Sequence, residues 1–264
     1  GGMESMSRAP YLVSGRMGEL KFGNTQMTDA LLNDGLWDPF ENWGMGMAAE
    51  FIADEYEVTR AAMDEFALRS HLKAVEAQEA GRFKLEIVPV QIPGRKGEVT
   101  LFDTDEGPRK DSTLEALSKL KPAFKANGKV TPGNSSPMND GGAAVVISSR
   151  AYAEKNKLKP MARVVGYAQA AVEPKYLFAA PAYAIPKLLK KIGWKLSDVD
   201  LIELNEACAT KGLADGYALA DQGWDWDKVN VNGGAIALGH PLGASGARVL
   251  TTLLYALKDR GLKR

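Results

Sequence analysis

Apolar residues in the second half of the chain come in short runs that alternate with longer segments of helical periodicity. Ala143–Ile147 is a continuous apolar run, which is typical of a strand covered on both faces. Arg163–Tyr167 and Val199–Leu204 also predict strands, the second of them buried. The predicted helices of this half are 150–157, 182–192, 206–221 and 245–259. Strands that alternate with helices predict an α/β fold, with mixed, mostly parallel sheets sandwiched by helices.

The first half of the chain is less regular. Apolar positions from Thr59 to Ala80 predict one long helix, which ends at Gly81. Leu85–Ile92 alternates like a strand, broken by a proline that indicates an edge or a bulge. The remaining predictions for this half are an exposed loop or short hairpin at 93–111 and a short helix at 112–120. A boundary near residue 138 therefore separates an irregular half from a regular α/β half.

The composition is that of an ordinary globular protein. Lys and Arg number 33, as do Asp and Glu, so the formal charge of zero gives no global attraction to nucleic acid or to an anionic membrane. No apolar run approaches the ~20 residues of a membrane-spanning helix, and the first residues lack a secretory signal pattern. One cysteine and two histidines provide neither a disulfide framework nor a zinc-type cluster. We therefore expect a cytoplasmic protein without nucleic-acid partner, membrane partner or metal.

One of the two histidines, His240, lies in a glycine-rich stretch, 232–248, that leads into an apolar helix. Glycines permit backbone conformations and close ligand approach that bulkier residues prevent, so a substrate could reach this imidazole. Ser245 is expected to cap the following helix. A structural histidine is the alternative, but the neighbouring Gly239 and Pro241 shape a turn around His240 and favour a functional one.

Two other polar clusters lie in loops beside predicted strands, where open α/β sheets place their ligand sites. Asn205 and Glu206 directly follow the strand Val199–Leu204, and 133–140 directly precedes the strand Ala143–Ile147. The structural alternative for Asn205 and Glu206 is a helix cap with an acid in the first turn. For 133–140 the structural alternative is an ordinary turn.

Four motifs occur in one order along the chain. They are Gly-Gly-Met-Glu-Ser-Met-Ser at 1–7, Gly-Asn-Ser-Ser at 133–136, Asn-Glu-Ala at 205–207 and Gly-His-Pro-Leu-Gly-Ala-Ser-Gly at 239–246. In combination they resemble the thiolases, which make or cleave a carbon–carbon bond between two acyl units carried as coenzyme A thioesters. The resemblance covers essentially the whole chain.

The resemblance implies a layered thiolase-like fold, incomplete in this chain, with an inserted α+β loop domain. Residues 1–7 and 139–157 would then belong to the N-terminal half. Residues 8–138 would form the loop domain, which in thiolases covers coenzyme A and helps to build tetramers. Residues 158–264 would be the C-terminal half without its last strands. We therefore expect a homo-oligomer, either a dimer or a tetramer.

The resemblance also implies roles for individual residues. His240 matches the histidine that activates the nucleophilic thiol, and Asn205 matches the asparagine that holds a water at the thioester oxyanion. Arg109 matches a position near the nucleotide phosphates of coenzyme A, Ser136 a serine that bonds the pantetheine arm, and Met45 a methionine lining the acyl pocket. The structural alternatives are a solvated arginine, a turn serine and a packed methionine. Acyl-CoA and CoA are the expected partners, as substrates, and no cofactor is expected.

The sequence departs from the thiolase pattern in its cysteines. Both catalytic thiols of the family are missing, and the single cysteine, Cys208, stands where many thiolases have phenylalanine, so a packing role is expected for it. Pro137 stands where the family has glycine, which predicts a stiffer pantetheine loop. We expect an internal portion of a thiolase that by itself binds coenzyme A poorly and is inactive.

The implied activity of the complete protein is that of an acetyl-CoA C-acetyltransferase in lipid metabolism. One alternative is a degradative 3-ketoacyl-CoA thiolase of fatty-acid oxidation, which acts on longer chains. Another is a non-catalytic or split subunit that keeps the thiolase fold. The sequence gives no pocket volume and so leaves the acyl length open.

Overall fold

The computed structural model describes residues 1–13, 15 and 22–264. Residues 14 and 16–21, part of the segment 8–138 expected to form the loop domain, lie outside the described residues. The α-helices are α1 (Met45–Glu55), α2 (Arg60–Glu79), α3 (Leu114–Ser118), α4 (Arg150–Lys155), α5 (Ala180–Ile192), α6 (Ala209–Ala218), α7 (Ala235–Leu238) and α8 (Leu242–Arg260). In the described part of the chain, no helix is both long enough and apolar enough to cross a membrane.

The strands form short antiparallel pairs. They are β1 (Gly2–Ser5), β2 (Tyr11–Leu12), β3 (Thr28–Asp29), β4 (Trp37–Asp38), β5 (Trp43–Gly44), β6 (Val90–Pro93), β7 (Val99–Phe102) and β8 (Asp140–Ala143). β1 pairs with β8 in the register Gly2 to Ala143, which joins the first residues to the segment after 138. The other pairs are β2 with β3, β4 with β5, and the hairpin of β6 with β7.

The long helix of the first half is confirmed as α2. Thr59 caps its start, where the hydroxyl oxygen accepts a hydrogen bond from the main-chain N–H of Ala62 at 3.2 Å. Gly81 follows its end with a φ of +69°, a left-handed conformation that glycine adopts without strain. Met63 and Ala67 on its inner face are fully buried. The cap, the periodicity and the terminal glycine are all local signals, which is why the sequence locates this helix well.

The main apolar core lies between α1, α2 and α6, with the 3₁₀ segment Pro174–Ala179 packed against them. Ile52 on α1 and Met63 on α2 are completely buried in it. Full burial of one such side chain contributes roughly 1.5–3 kcal/mol. α2 also packs on α7, which directly precedes the turn that carries His240. The core therefore connects the helices of the first half to the glycine-rich turn of the second.

Two predicted strands of the second half are wrong within the described residues. β8 ends at Ala143, Val146 and Ile147 are 98% and 79% exposed, and 163–167 forms no strand. A strand requires a neighbour with which to exchange main-chain hydrogen bonds, and β1 reaches only as far as Ala143. Beyond Ala143 the apolar run therefore has no strand partner among the described residues.

The segment Val199–Leu204 is closer to its prediction. Leu201 and Leu204 are buried, and Ile202 forms a parallel bridge with Val229. The sequence predicts a mostly parallel sheet, but this parallel bridge is a single residue pair. The longer ladders of the described residues are antiparallel. The layered mixture of helices and strands is nevertheless that of an α/β protein.

The remaining helices form where the sequence predicts helices, with shifted ends. The helix predicted at 206–221 begins only at Ala209, and the one predicted at 245–259 begins earlier, at Leu242. The strand predicted at Leu85–Ile92 is displaced to Val90–Pro93, because 82–85 forms a 3₁₀ turn. β6 and β7 form a hairpin over 90–102, so a short hairpin is present, but it begins before residue 93 and does not include 103–111.

Candidate active site

His240 lies where two glycine-containing segments press against each other. Gly239 has a φ of +93°, and a Cβ at this position would overlap with the side chain of Asn139. A Cβ at Gly141 would lie only 2.8 Å from the ring of Pro241. The absence of side chains at both glycines therefore allows the 139–141 segment to contact the turn that carries His240.

Both nitrogens of the His240 imidazole have partners. The Asn205 amide nitrogen lies 3.2 Å from Nε2, and the Ser245 hydroxyl lies 2.6 Å from Nδ1. The Ser245 hydroxyl donates to the main-chain carbonyl of Pro241 at 3.0 Å, so its oxygen is free to accept from Nδ1–H. The amide nitrogen of Asn205 can only donate, so Nε2 accepts. These contacts select the neutral tautomer with its proton on Nδ1 and its lone pair on Nε2.

The surroundings of His240 favour the neutral form. Burial lowers the pKa of His240 below its ordinary value, and the cations Arg248 and Lys211 lower it further. At neutral pH the imidazole is therefore uncharged and can accept a proton at Nε2. A neutral imidazole in a partly enclosed turn is suited to general-base chemistry.

Asn205 is held in place by the next residue. The Glu206 carboxylate is buried and accepts hydrogen bonds from the hydroxyl of Ser70 at 2.6 Å, the amide of Asn230 at 2.7 Å and the main chain of Ile236 at 3.2 Å. Burial raises the pKa of Glu206. These contacts attach the Asn205 segment to α2 and to α7.

The helix-cap interpretation of Asn205 and Glu206 is wrong. α6 begins at Ala209, and Cys208 stands at its N-cap position. The cap prediction for Ser245 is wrong too, because α8 begins at Leu242 and Ser245 lies within its first turn, where it contacts His240 instead. Sequence reasoning missed this role because the serine lies five residues after the histidine and only the helical turn brings the two together.

The Asn205 side chain has a free acceptor. Its Oδ1 is buried and receives no hydrogen bond from any of the described residues. A buried carbonyl oxygen without a donor costs free energy, which a bound water or ligand group would recover. The amide therefore presents one donor to His240 and one open acceptor beside it.

Ser136 lies close to the Asn205 segment. Its main-chain N–H and its hydroxyl both donate to the carbonyl oxygen of Ala207, at 3.2 Å and 3.0 Å. The 133–140 segment is thereby joined to the chain two residues after Asn205. Ser135 and Cys208 add an antiparallel bridge at the same place. The 133–140 segment is therefore part of the wall of the site rather than an isolated turn.

Arg109 and Met45 lie apart from this group. The Arg109 side chain is exposed, and its main-chain N–H donates to Nδ1 of His71 at 3.2 Å. Met45 begins α1 and packs against the apolar core. Among the described residues neither forms a hydrogen bond with His240 or Asn205. The structure thus brings His240, Asn205 and Ser136 together, and leaves Arg109 and Met45 outside this set. Sequence reasoning missed His71, because nothing in the long helix that contains it marks this position as functional.

The single cysteine is part of the core. Cys208 is buried in the apolar cluster, and burial raises the pKa of its thiol to about 11. A thiol with this pKa is protonated at neutral pH and is a poor nucleophile. The expected packing role of Cys208 is therefore confirmed. Within the described residues, no group of three or more His, Cys, Asp and Glu side chains is arranged to hold a metal ion.

Comparison with known proteins identifies the family. The model of the thiolase N-terminal domain matches residues 1–151, and that of the thiolase C-terminal domain matches residues 158–264. The acetyl-CoA acetyltransferases of Pseudomonas aeruginosa and Allochromatium vinosum are 50% and 49% identical to this chain over 264 residues. Each match covers the whole chain and 66% of the relative, so the chain spans 66% of the length of these proteins.

Solved structures agree with the sequence comparison. The acetyl-CoA acetyltransferase of Bacillus anthracis superposes with a TM-score of 0.93 at 44% identity, over 99% of this chain and 65% of that one. The acetyl-CoA acetyltransferase of Syntrophomonas wolfei gives a TM-score of 0.92 at 39% identity, over 99% of this chain and 66% of that one. The expected thiolase-like fold is thereby confirmed, and the chain belongs to the thiolase family.

Proposed function

We propose that these residues form part of an acetyl-CoA C-acetyltransferase, which condenses two acetyl-CoA units or cleaves acetoacetyl-CoA. The contact of His240 with Asn205, at 3.2 Å, is the observation that carries the proposal. It brings a neutral base and a carboxamide together at one point, an arrangement suited to acyl transfer at a thioester. The names of the relatives support acetyl-CoA as the substrate.

In the proposed reaction, His240 and Asn205 act on the carbonyl oxygen of the thioester. Negative charge develops on this oxygen in the transition state, and one fixed donor there contributes about 3–4 kcal/mol. The open Oδ1 of Asn205 would hold a water by accepting one of its hydrogens. Nε2 of His240 would exchange its contact with the Asn205 amide for the reacting thiol and take the thiol's proton, and the resulting Nε2–H could then donate to the oxyanion. Ser245 keeps the ring orientation during this exchange through Nδ1.

The thiols of the proposed reaction do not come from these residues. The 264 residues include one cysteine, and its thiol is buried in the core and protonated. We propose that this chain alone provides the histidine and asparagine of the site but forms no acyl-enzyme. It should therefore show no turnover by itself and bind coenzyme A poorly.

Three further residues are proposed to contact coenzyme A. Ser136 keeps an unused lone pair while its hydroxyl donates to Ala207, and this lone pair could accept from the pantetheine arm. The exposed guanidinium of Arg109 is suited to the nucleotide phosphates. Met45 is half-buried at the start of α1 and would line the acyl pocket.

The proposal extends to the organisation of the protein. Residues 8–138 would form the loop domain over coenzyme A, between parts of the N-terminal half at 1–7 and 139–157 and the C-terminal half at 158–264. We further propose a homo-oligomer, a dimer or tetramer, that works in the cytoplasm in lipid metabolism. Coenzyme A thioesters would be its substrates, and it would need no separate cofactor.

An assay of two proteins tests the proposal. The first is the 264-residue chain, and the second is the product of the complete reading frame that contains it. We expect the second protein to cleave acetoacetyl-CoA in the presence of CoA, with little activity on C8 or longer 3-ketoacyl-CoA. The first should be inactive, and His240→Asn should abolish the activity of the second. Turnover by the first protein alone, or a preference for long chains, would contradict the proposal.

A further inference from the structure

Helix α2 holds the loop that carries Arg109. The side-chain amide of Gln78 donates to the carbonyl oxygen of Asp105 at 2.8 Å, and Lys110 forms an ion pair with Glu79. Gln78 and Glu79 lie seven and eight residues after position 71, so all three positions share one face of the helix. This face of α2 is the support of the loop 105–111.

His71, also on α2, contacts Arg109 itself. Its side chain belongs to a residue only 6% exposed, and Nδ1 accepts the main-chain N–H of Arg109 at 3.2 Å. A hydrogen bond to the main chain fixes the position from which the arginine side chain starts, whereas the guanidinium itself stays exposed. The acceptor exists only while Nδ1 is unprotonated.

The preceding residue of the same helix holds the other end of the site. The Ser70 hydroxyl donates to the Glu206 carboxylate at 2.6 Å, and Glu206 is the direct neighbour of Asn205. Two consecutive residues of α2 therefore anchor two separate segments, one with Asn205 and one with Arg109. A single rigid helix fixes how far apart these segments lie.

We propose that His71 is a positioning residue that holds the main chain of Arg109 on α2, so that a coenzyme A thioester can meet the Arg109 guanidinium and Asn205 at the same time. The nucleotide end of the ligand, with its phosphates, would meet Arg109 while the thioester lies at Asn205. The inference rests on the proposed function for the identity of this ligand. The anchoring of Arg109 by His71 stands independently of it.

Acid should release this anchor. The charged groups that face His71 are Arg109 and Asp111, both from the supported loop. Burial lowers the pKa of His71, Arg109 lowers it further and Asp111 opposes them. His71 is therefore a neutral acceptor at pH 7. Protonation at lower pH would remove the acceptor and place a second positive charge beside the guanidinium.

Hydrogen exchange at the Arg109 amide tests the anchor. His71→Asn keeps an acceptor oxygen near the place of Nδ1, whereas His71→Leu keeps the volume without the acceptor. We expect the Arg109 amide to exchange about tenfold faster in His71→Leu and within about twofold of the unmodified chain in His71→Asn. Leu72→Ala, at an exposed neighbouring position, should change nothing. Equal exchange in His71→Leu and in the unmodified chain would overturn the proposal.

If His71→Leu does not fold, hydrogen exchange of the unmodified chain at several pH values tests the hydrogen bond between His71 and the Arg109 amide instead. Because the pKa of His71 is lowered from the ordinary histidine value of about 6.5, exchange at Arg109 relative to the intrinsic rate should accelerate only at a pH below that value. The same series on His71→Asn should show no such acceleration. If the pH dependence of Arg109 exchange is the same in the unmodified chain and in His71→Asn, the proposal is overturned.

Coenzyme A binding, measured by ligand-observed NMR with millimolar CoA, separates the anchor from the ligand. We expect His71→Leu to weaken CoA binding about tenfold and His71→Asn to restore it, with Arg109→Gln weakening it similarly. If Arg109→Gln leaves binding unchanged, the proposed phosphate contact fails while the exchange result still decides the anchor. If the Arg109 amide exchanges equally fast in His71→Leu and in the unmodified chain, the role of His71 is overturned regardless of the CoA-binding result.

Discussion

Asn205 and His240 form one unit, because a donor on the amide meets the lone pair on the ring. Asn205→Asp would place a carboxylate at 3.2 Å from Nε2 and stabilise the imidazolium. We expect this substitution to raise the pKa of His240 by about 1–2. An NMR titration measures it directly, because the chain has only two histidines and His71→Asn removes the other signal.

Asn205→Leu is the matched control, since it removes the amide without adding charge. Burial and the cations Arg248 and Lys211 would still act on the ring, so the pKa of His240 should stay below its ordinary value. An unchanged pKa in Asn205→Asp would mean that the two side chains are not in contact in solution.

The sequence predicts the individual site residues unevenly. His240 and Asn205 stand in short motifs, and their chemistry can be inferred from residue type and neighbours. The role of Ser245 depends on where α8 begins, and that of Glu206 on Ser70, which lies 136 residues away along the chain. His71 appears as one polar position in a long helix. Contacts between segments that lie far apart along the chain leave no local sequence pattern from which they could be predicted.

Gly234 and Gly246 belong to the two helices that flank His240, and replacing them with alanine should change the stability of the protein in opposite directions. A Cβ at Gly234, the N-cap of α7, would overlap with the Glu206 carboxylate, whereas a Cβ at Gly246 in α8 meets nothing within 4 Å. Gly234→Ala should destabilise the protein by about 2 kcal/mol or more, because the displaced carboxylate is buried and hydrogen-bonded. Gly246→Ala should stabilise it by about 0.5–1 kcal/mol through helix propensity.

Urea unfolding of both variants, with the unmodified chain as reference, measures these two changes. Equal stability of the two variants would show that Gly234 does not pack against Glu206.

Helices and strands differ in how much of them the sequence predicts. The helix predicted from Thr59 to Ala80 is found at Arg60–Glu79, because its cap and its terminal glycine are local signals. The strands predicted at 143–147 and 163–167 fail, because a strand also depends on a neighbour elsewhere in the chain. β1 and β8 show this dependence, since the pairing of residues about 140 positions apart extends only from the Gly2–Ala143 pair to the Ser5–Asp140 pair.

Across the whole molecule, the formal charge of zero counts every Asp and Glu as ionised, although several of these acids are buried. Burial raises the pKa of Glu203 to about 8, that of Glu86 to about 7 and that of Asp215 to about 6. The folded state therefore binds more protons at these groups than the unfolded state, and their contribution to stability falls as the pH rises. His71 and His240, with lowered pKa values, act in the opposite direction, but only below the unfolded histidine pKa of about 6.5.

The carboxyl groups consequently dominate the interval from pH 6.5 to about 8.5. Both histidines are largely neutral in the folded state there, and in the unfolded state they lose their remaining protons by about pH 7.5. Glu203 and Glu86 lose their protons in the folded state across the same interval. Ionisation of Glu203 is opposed by burial and by Glu206 and Glu86, and only partly compensated by Arg248 at 3.5 Å. We expect the melting temperature to fall across this interval by roughly 5 °C or more.

Glu203→Gln should flatten this decline, because a neutral amide of the same shape has no proton to lose. Glu115→Gln is the matched control, since Glu115 forms an exposed ion pair with Lys119 on α3 and should leave the slope unchanged. Thermal unfolding at several pH values compares the three proteins. A decline in Glu203→Gln as steep as in the unmodified chain would mean that another group binds the extra proton, and Glu86→Gln would then be the next variant to measure. A melting temperature that rises from pH 6.5 to 8.5 would contradict the sign of the linkage itself, because it would require the unfolded state to hold the additional protons.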